Sequence, residues 1–307
     1  DVIAGATIAN QQFVVTYMQH AHHIFKVYEK SGAFVREIVM PSIGSTLFFA
    51  GAGSSPDDTE IFIPFMSFLQ PNNVYKYDLK ADALTVLFDV TAPNFNPDDY
   101  ETRQVFYASK DGTTVPMFIT AKKGLALNGD NPTILYGYGG FGVSLAPMYW
   151  SWMPVWLEMG GVFALANLRG GSEYGDNWHL SGMFEKKQNV FDDFIGAAEW
   201  LIANGYTSSR KLAIEGGSNG GLLVAACMLQ RPDLYGAVLC HVPVIDMLRY
   251  QHFTAGRYWT SEYGDANNSR EHFEFLRAYS PLHNVKEGVQ YPPLLMMTAD
   301  HDDRVVP

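Results

Sequence analysis

A glycine-flanked serine, Gly216-Gly217-Ser218-Asn219-Gly220-Gly221, separates two segments of different character. The apolar run 212–214 before it is typical of a strand, and the stretch 222–229 after it is rich in helix-forming residues. Glycine two residues before and two after Ser218 suits a turn so sharp that a Cβ there would strike the neighbouring strand or helix. The pattern predicts a strand-to-helix turn that projects Ser218 as an acyl-transfer nucleophile. An ordinary tight turn is the alternative.

The region around this serine alternates between strand-like and helix-like patterns. It opens with a hairpin of 105–107 and 115–119 around the turn Asp111-Gly112. Five apolar runs are then predicted as strands: 133–138, 162–166, 211–215, 237–240 and 294–298. The last of these is predicted to be buried, and 191–203 is predicted as a helix. Alternating strands and helices predict a parallel sheet with helices on both faces.

An acidic loop, 299–307, follows the last predicted strand. Of its three carboxylates we favour Asp302 as the acid of a catalytic triad, because its spacing to Val305 and Pro307 resembles the acid loop of hydrolases. The order serine, then aspartate, is that of the α/β-hydrolase triad. A solvated acidic loop around Arg304 is the alternative.

The triad histidine is expected on a loop after a further strand, but only five residues follow Asp302, so we expect it to be absent from this chain. His301 would have to fold back on its own backbone, and His241 is expected to be a hydrogen-bonded strand-end residue. His20, His22 and His23 would alternate faces in a strand and are not predicted to bind metal. The others are expected to be isolated, structural or solvated: His179, His252, His272 and His283.

Composition narrows the possible partners. The net charge of −11 disfavours nucleic acid and anionic membrane surfaces, and small or neutral substrates fit better. With 47% hydrophobic and 17% charged residues, the chain can bury a large core in two domains.

Its two cysteines, Cys227 and Cys240, lie in apolar surroundings and indicate reduced core thiols in a reducing compartment. No apolar run reaches the length of a transmembrane helix, and because Asp1 is not an initiator, a lost leader stays open.

The N-terminal region contains an internal repeat. Residues 25–34 resemble 75–84, and 13–18 resemble 61–66, at offsets near 50 residues. A β-rich repeat of this length predicts propeller blades, and about two are present; one meander of a small β-domain is the alternative. The proline- and asparagine-containing segment 91–99 marks the boundary, which gives a partial propeller at 1–95 and a catalytic domain at 96–307.

From about residue 96 onward the sequence resembles the peptidase domain of the prolyl oligopeptidases. Six motifs in order carry the resemblance: 135–141 (LYGYGGF), 167–171 (NLRGG), 216–221 (GGSNGG), 258–264 (YWTSEYG), 280–285 (SPLHNV) and 299–307 (ADHDDRVVP). The resemblance implies an α/β-hydrolase domain preceded by propeller blades, with the chain starting and ending inside a longer protein. It also implies a cytoplasmic, monomeric serine endopeptidase that cuts short peptides after proline without cofactor or metal, and that this piece, lacking its histidine, is inactive.

The same resemblance assigns roles around the nucleophile. It implies that the Tyr138 hydroxyl supplies one oxyanion donor, while the Asn219 N–H, just past the predicted turn, supplies the other. Trp259 would stack on the substrate proline and Arg304 would bind a substrate carbonyl, with the remaining pocket walls being Phe141, Val244, Tyr263 and Val305. From the residues alone, an ordinary core tyrosine is the alternative for Tyr138, and a packing pair is the alternative for Trp259 and Tyr263.

Other interpretations stay open at this point. Oligopeptidase B needs pocket carboxylates that this set does not show, and acylaminoacyl and dipeptidyl peptidases carry another residue at the position of Asn219. A generic esterase would share the serine turn but not the blade-like repeats. A noncatalytic scaffold would explain a missing histidine.

Overall fold

The computed structural model describes residues 1–307, which form two compact units. The first comprises Asp1–Thr102 with Ala146–Met159, and the second comprises Arg103–Leu145 with Gly160–Pro307. The segment Ala146–Met159 therefore leaves the second unit, packs with the first and returns. The domain division at residues 95/96 stays a prediction.

The first unit contains two antiparallel sheets built from consecutive strands. The four-stranded sheet has the order β1-β2-β3-β4, and the three-stranded sheet has the order β5-β6-β7. Their bounds are β1 Val2–Ala9, β2 Gln12–Gln19, β3 His22–Glu29, β4 Phe34–Ile38, β5 Glu60–Phe65, β6 Asn73–Asp78 and β7 Ala83–Phe88. The repeated segments fall on β2 and β5 and on β3 and β6, which confirms that the internal repeat is a strand-turn-strand unit.

The first of these sheets turns tightly between its strands. Asn10 and Gln11 join β1 to β2, and His20 and Ala21 join β2 to β3, all four with positive φ, as two-residue hairpins of right-handed twist require. His20 therefore lies in a turn rather than in a strand. His23 Nδ1 accepts the Thr46 N–H at 2.9 Å.

Aromatic and branched side chains form the core of the first unit. Phe65 meets both Phe25 and Tyr75 edge-on at 6.2 Å, so one ring contacts strands of both sheets. Ile61 and Ile63 on β5 are fully buried beside them. The two sheets thus bury their faces in a shared core, as successive units of a repeat must.

The second unit is organised by a seven-stranded sheet in the order β14-β13-β12-β10-β11-β9-β8. Strands β10 to β14 run parallel to one another in their pairs, while β9 pairs antiparallel with β11. The strands are β8 Tyr100–Ala108, β9 Thr114–Lys122, β10 Thr133–Tyr136, β11 Val162–Ala166, β12 Leu212–Gly217, β13 Ala237–His241 and β14 Leu294–Met297. The predicted parallel sheet and its opening hairpin are confirmed.

The chain has seven α-helices; α1 belongs to the segment Ala146–Met159 of the first unit, and the other six connect or flank these strands. They are α1 Met153–Glu158, α2 Asp176–Leu180, α3 Gln188–Ala203, α4 Asn219–Gln230, α5 Thr260–Tyr263, α6 Arg270–Tyr279 and α7 Pro281–Asn284. Helices α3 and α4 bury most of their apolar residues against the sheet and against each other. None of the helices combines the length and apolar character needed to cross a bilayer.

Both cysteines lie in this core, as predicted. Cys227 on α4 and Cys240 on β13 are fully buried, unpaired thiols. Burial raises the pKa of Cys227 well above its usual range and that of Cys240 to about 12, so neither forms a thiolate near neutral pH.

The prediction that the last strand is buried is wrong. Leu294, Leu295, Met296 and Met297 on β14 are 41–54% exposed. Within the residues of this chain β14 stands last in the strand order and pairs only with β13, so its side chains lack the cover that the interior strands receive.

Candidate active site

Ser218 occupies a strained turn between β12 and α4. Its φ of 59° and ψ of −116° are rare for a residue with a side chain and cost about 1–3 kcal/mol. The Ser218 N–H donates to the carbonyl of His241 on β13 at 2.9 Å, which anchors the turn to the sheet. The predicted strand-to-helix turn is confirmed.

The flanking glycines are required by close backbone contacts. A Cβ at Gly216 would lie 2.3 Å from the Gly220 carbonyl oxygen, and one at Gly220 would lie 2.8 Å from the Gly137 carbonyl oxygen. No side chain can be accommodated at such distances from backbone atoms without displacing them. The glycine spacing in the sequence therefore reflects the crossing of strand, helix and the loop after β10.

Ser218 opens into a cavity of about 510 Å³. Seven residues of the predicted site share this cavity: Tyr138, Phe141, Ser218, Val244, Trp259, Tyr263 and Arg304. Val305 lines an adjoining cavity of about 240 Å³, which also touches Val244, Trp259 and Arg304. Asn219 and Asp302 line neither cavity.

Tyr138 lies directly after β10, the strand beside β12. Tyr138 lines the same cavity as Ser218, and burial raises the pKa of Tyr138 above its usual value. A tyrosine that stays protonated at neutral pH can donate a hydrogen bond to a developing negative charge.

Asn219 contributes to the site through both its backbone N–H and its side chain. Its N–H belongs to the first turn of α4, where amide groups have no partner within the helix. Its buried side chain donates from Nδ2 to the Tyr138 carbonyl at 2.5 Å and accepts at Oδ1 from the Tyr263 hydroxyl at 2.8 Å. Asn219 thereby ties the loop of Tyr138 to the turn of Ser218.

The cavity has an aromatic wall. Tyr250 stacks on Trp259 with ring centroids 6.4 Å apart and meets Tyr263 edge-on at 5.3 Å. Phe141 also meets Tyr263 edge-on, with ring centroids 5.3 Å apart. Trp259 closes a short 3-10 helix, Gly256–Trp259, immediately before α5. Tyr250, which the sequence analysis did not single out, thus joins Trp259 and Tyr263.

One prediction about the histidines is wrong. His179 is not isolated: it lines the cavity, and its Nε2 lies 2.8 Å from Oε2 of Glu262. The other oxygen, Oε1, accepts the Phe141 N–H at 2.8 Å. Glu262 is 3% exposed, so its carboxylate is occupied by these partners. His179 and Glu262 are 83 residues apart, and neither carries a local signal beyond Glu262 lying within 258–264.

Asp302 lies in the loop after β14. Its Oδ1 accepts the N–H groups of Arg304 and Val305, each at 2.9 Å. By contrast, Asp300 pairs with the adjacent His301 at 3.0 Å, with both side chains at least 90% exposed.

The remaining histidines are hydrogen-bonded outside the cavity. His241 ends β13, and its Nε2 lies 3.2 Å from Glu215, which confirms the strand-end prediction. The others pair locally: His252 with Asn267, His272 with the Asp265 N–H and His283 with Ser280. No group of three or more His, Cys, Asp and Glu side chains is arranged to hold a metal ion.

Two features define the α/β-hydrolase class. A sharp turn between a parallel strand and a helix carries the serine, and a loop after the neighbouring strand carries an oxyanion donor. The Prolyl oligopeptidase family model matches residues 148–307, and the model of its N-terminal beta-propeller domain matches residues 1–90. The chain belongs to the prolyl oligopeptidase family, and its first unit is part of a β-propeller.

Curated relatives and solved structures agree with this membership. A prolyl endopeptidase from Elizabethkingia miricola is 47% identical over 96% of this chain, and one from Dictyostelium discoideum is 43% identical over 97%. Prolyl oligopeptidase B from Galerina marginata, solved with a 35mer hydrolysis and macrocyclization substrate, superposes with a TM-score of 0.92 at 35% identity, covering 99% of this chain and 43% of that one. The chain spans only 41% and 39% of the length of the two curated relatives.

Proposed function

We propose that the protein containing this chain is a serine endopeptidase that cleaves short peptides on the carboxyl side of proline. The observation that carries this proposal is the meeting of Ser218, Tyr138 and Trp259 in one cavity. A nucleophile, an oxyanion donor and a flat apolar surface are what acyl transfer after a proline ring requires.

In this mechanism the Ser218 Oγ attacks the scissile carbonyl carbon and its proton passes to a histidine base, which Asp302 orients. None of the nine histidines of this sequence is assigned that role. Collapse of the tetrahedral intermediate breaks the C–N bond, and the base returns the proton to the leaving amine. Water then hydrolyses the acyl-enzyme by the same steps. Asp302 is favoured over Asp300 because backbone amides fix its carboxylate, whereas Asp300 is exposed.

The developing oxyanion would be bound by the Tyr138 hydroxyl and the Asn219 N–H. Both donors are held before the reaction begins, since the Asn219 side chain links the two backbone segments. Preorganised donors of this kind act mainly on the transition state, so they contribute to kcat more than to KM.

The specificity pocket would be formed by Trp259 against the face of the proline ring, with walls from Phe141, Val244, Tyr263 and Val305. Arg304 would bind a substrate carbonyl. Glu262 lines the cavity with Ser218 and Asp246 lines the adjoining one, and both carboxylates are occupied on both oxygens by protein partners. A basic substrate side chain would find no free counter-charge, which favours proline over arginine or lysine.

The wider setting of the proposal follows from composition and family. We propose a cytoplasmic, monomeric enzyme that needs no cofactor or metal. Neutral peptides suit a chain of net charge −11 better than polyanions do.

The test uses the full-length protein and matched chromogenic peptides that differ only in Pro, Ala or Arg before the scissile bond. We expect kcat/KM to be highest for proline by at least about tenfold, a difference of about 1.4 kcal/mol in transition-state binding. Ser218→Ala should abolish both cleavage and labelling by a fluorophosphonate. Equal cleavage after all three residues would overturn the proline specificity, and labelling of Ser218→Ala would overturn the nucleophile.

A further inference from the structure

A buried lysine, Lys187, lies behind the candidate oxyanion site. It is 1% exposed and ends the 3-10 helix Phe184–Lys187 just before α3. Lysine is rarely buried unless its ammonium group is paired or hydrogen-bonded. The contacts of this side chain therefore require an explanation beyond packing.

Every polar contact of the Lys187 ammonium group is with the active-site region. Nζ donates to the Gly139 carbonyl at 2.8 Å and to Oδ1 of Asn219 at 3.0 Å. It lies 4.0 Å from Oε1 of Glu262 and 5.4 Å from the centroid of the Tyr263 ring. Three separate elements, the loop after β10, the start of α4 and α5, are thus joined by one cation.

Two of these partners are sequence neighbours of the oxyanion groups. Gly139 directly follows Tyr138, and Asn219 directly follows Ser218. The Asn219 Nδ2 bond to the Tyr138 carbonyl closes the connection on the other side. Displacing Nζ would therefore remove one hydrogen bond from the backbone of the Tyr138 loop and one from the Asn219 side chain, although Lys187 does not line the cavity itself.

Glu262 extends the network to the cavity wall. It balances the charge of Lys187 and at the same time holds the Phe141 N–H and His179. Burial lowers the pKa of Lys187 to about 8, and Glu262 opposes that shift, so the lysine is mostly charged at neutral pH. A methionine would fill the same volume without this desolvation cost. The hydrogen bonds and ion pair of the ammonium group are therefore the physical reason for a lysine at position 187.

We propose that Lys187 is a positioning residue that holds the Tyr138 hydroxyl and the Asn219 N–H at the spacing an oxyanion requires, by bridging the Gly139 carbonyl and the Asn219 side chain. This rests on the proposed function, since the oxyanion belongs to that reaction. A misplacement of about 1 Å can reduce the rate about 10²-fold. We expect the loss in kcat rather than in KM, because oxyanion donors act in the transition state.

The test is a double-mutant cycle in the full-length protein: wild type, Lys187→Met, Tyr138→Phe and the double variant. The matched control is Lys186→Met, since Lys186 is the exposed neighbour. We expect Lys187→Met to lower kcat about 10²-fold with KM within about twofold, and Lys186→Met to match the wild type. In the Lys187→Met background, the factor by which Tyr138→Phe lowers kcat should be at least about tenfold smaller than in the wild type. The reason is that a misplaced donor already contributes little to transition-state stabilisation.

Two results would overturn the proposal. One is a kcat for Lys187→Met within about threefold of that for Lys186→Met. The other is independent multiplication of the two losses in the double variant, which a purely structural role would produce. If Lys187→Met does not fold, Lys187→Gln replaces it under the same criteria.

A second readout separates this inference from the proposed specificity. The rate of Ser218 labelling by a fluorophosphonate reports nucleophile and oxyanion geometry without requiring proline. A wild-type protein that labels at Ser218 but ignores proline would refute the specificity alone, and slower labelling of Lys187→Met would still support positioning. Equal labelling of Lys187→Met and Lys186→Met would refute positioning even if proline specificity holds.

Discussion

The Tyr263 hydroxyl donates to Oδ1 of Asn219 at 2.8 Å, which connects the wall of the candidate specificity pocket to the residue after the nucleophile. Tyr263 is fully buried, and Phe141 and Tyr250 pack edge-on against its ring. A substitution at Tyr263 would therefore disturb pocket and nucleophile together. The ring of Trp259 stacks on Tyr250 and makes no hydrogen bond to Asn219, so Trp259 is the wall residue whose removal best tests specificity.

Trp259→Ala in the full-length protein should selectively weaken cleavage after proline. Stacking on the proline ring removes roughly three CH₂ groups from water, on the order of 2 kcal/mol at about 0.8 kcal/mol each, or about thirtyfold in kcat/KM. The measurement compares matched proline and alanine peptides. Equal losses for both substrates would contradict stacking.

Tyr138→Phe should lower kcat by about 10²- to 10³-fold while KM changes little, because one oxyanion donor is lost. The Tyr138 carbonyl, which accepts from Asn219, is unaffected by the change. Tyr258→Phe is the matched control, since Tyr258 lines the same cavity but is 68% exposed. An effect confined to KM would identify Tyr138 as a binding or packing residue.

Gly216→Ala should destabilise the fold, whereas Gly217→Ala should be tolerated. A Cβ at Gly216 would lie 2.3 Å from the Gly220 carbonyl oxygen, while one at Gly217 would meet the Cβ of His241 at an ordinary 3.5 Å. We expect a loss of about 2 to 3 kcal/mol for the first change, at the upper end for overpacking, and much less for the second. Urea unfolding of the two variants checks this, and similar midpoints would show that the turn can relax.

Glu173→Gln should stabilise the protein more at pH 8 than at pH 5. Glu173 is buried, accepts the Leu145 N–H at Oε1 and has no hydrogen-bond partner at Oε2. Burial raises the pKa of this carboxyl to about 7 from an ordinary 4.5. The native state thus retains a proton that the unfolded state releases, and the stability of the wild type falls as pH rises from 4.5 to 7.

Glutamine removes this ionisation. The free energy of unfolding at pH 8 should therefore rise by nearly the equivalent of the difference between the two pKa values, about 3 kcal/mol. Thermal unfolding of both proteins at the two pH values measures it. A difference in Tm between variant and wild type that does not change with pH would show that Glu173 is not neutral in the native protein at pH 5.

Local chemistry allowed much of this protein to be predicted from its sequence. The glycines around Ser218 predicted the strained turn, because only backbone crossings require glycine at those positions. The apolar runs predicted β10 to β14, and the Asp111-Gly112 turn predicted the hairpin of β8 and β9, since strand periodicity and turn geometry are short-range properties. The sequence similarity between 13–18 and 61–66 likewise predicted two equivalent strands, β2 and β5.

The tertiary structure alone decided the remainder. Lys187 and His179 lie near each other in sequence but meet Glu262 across a long separation in the chain, and no local pattern distinguishes a buried lysine from a solvated one. The exposure of β14 in this chain depends on its place in the strand order, which its apolar composition does not encode. Periodicity and turn residues are set by neighbours in sequence, whereas pairing across long separations and edge position are set by the packing of the whole sheet.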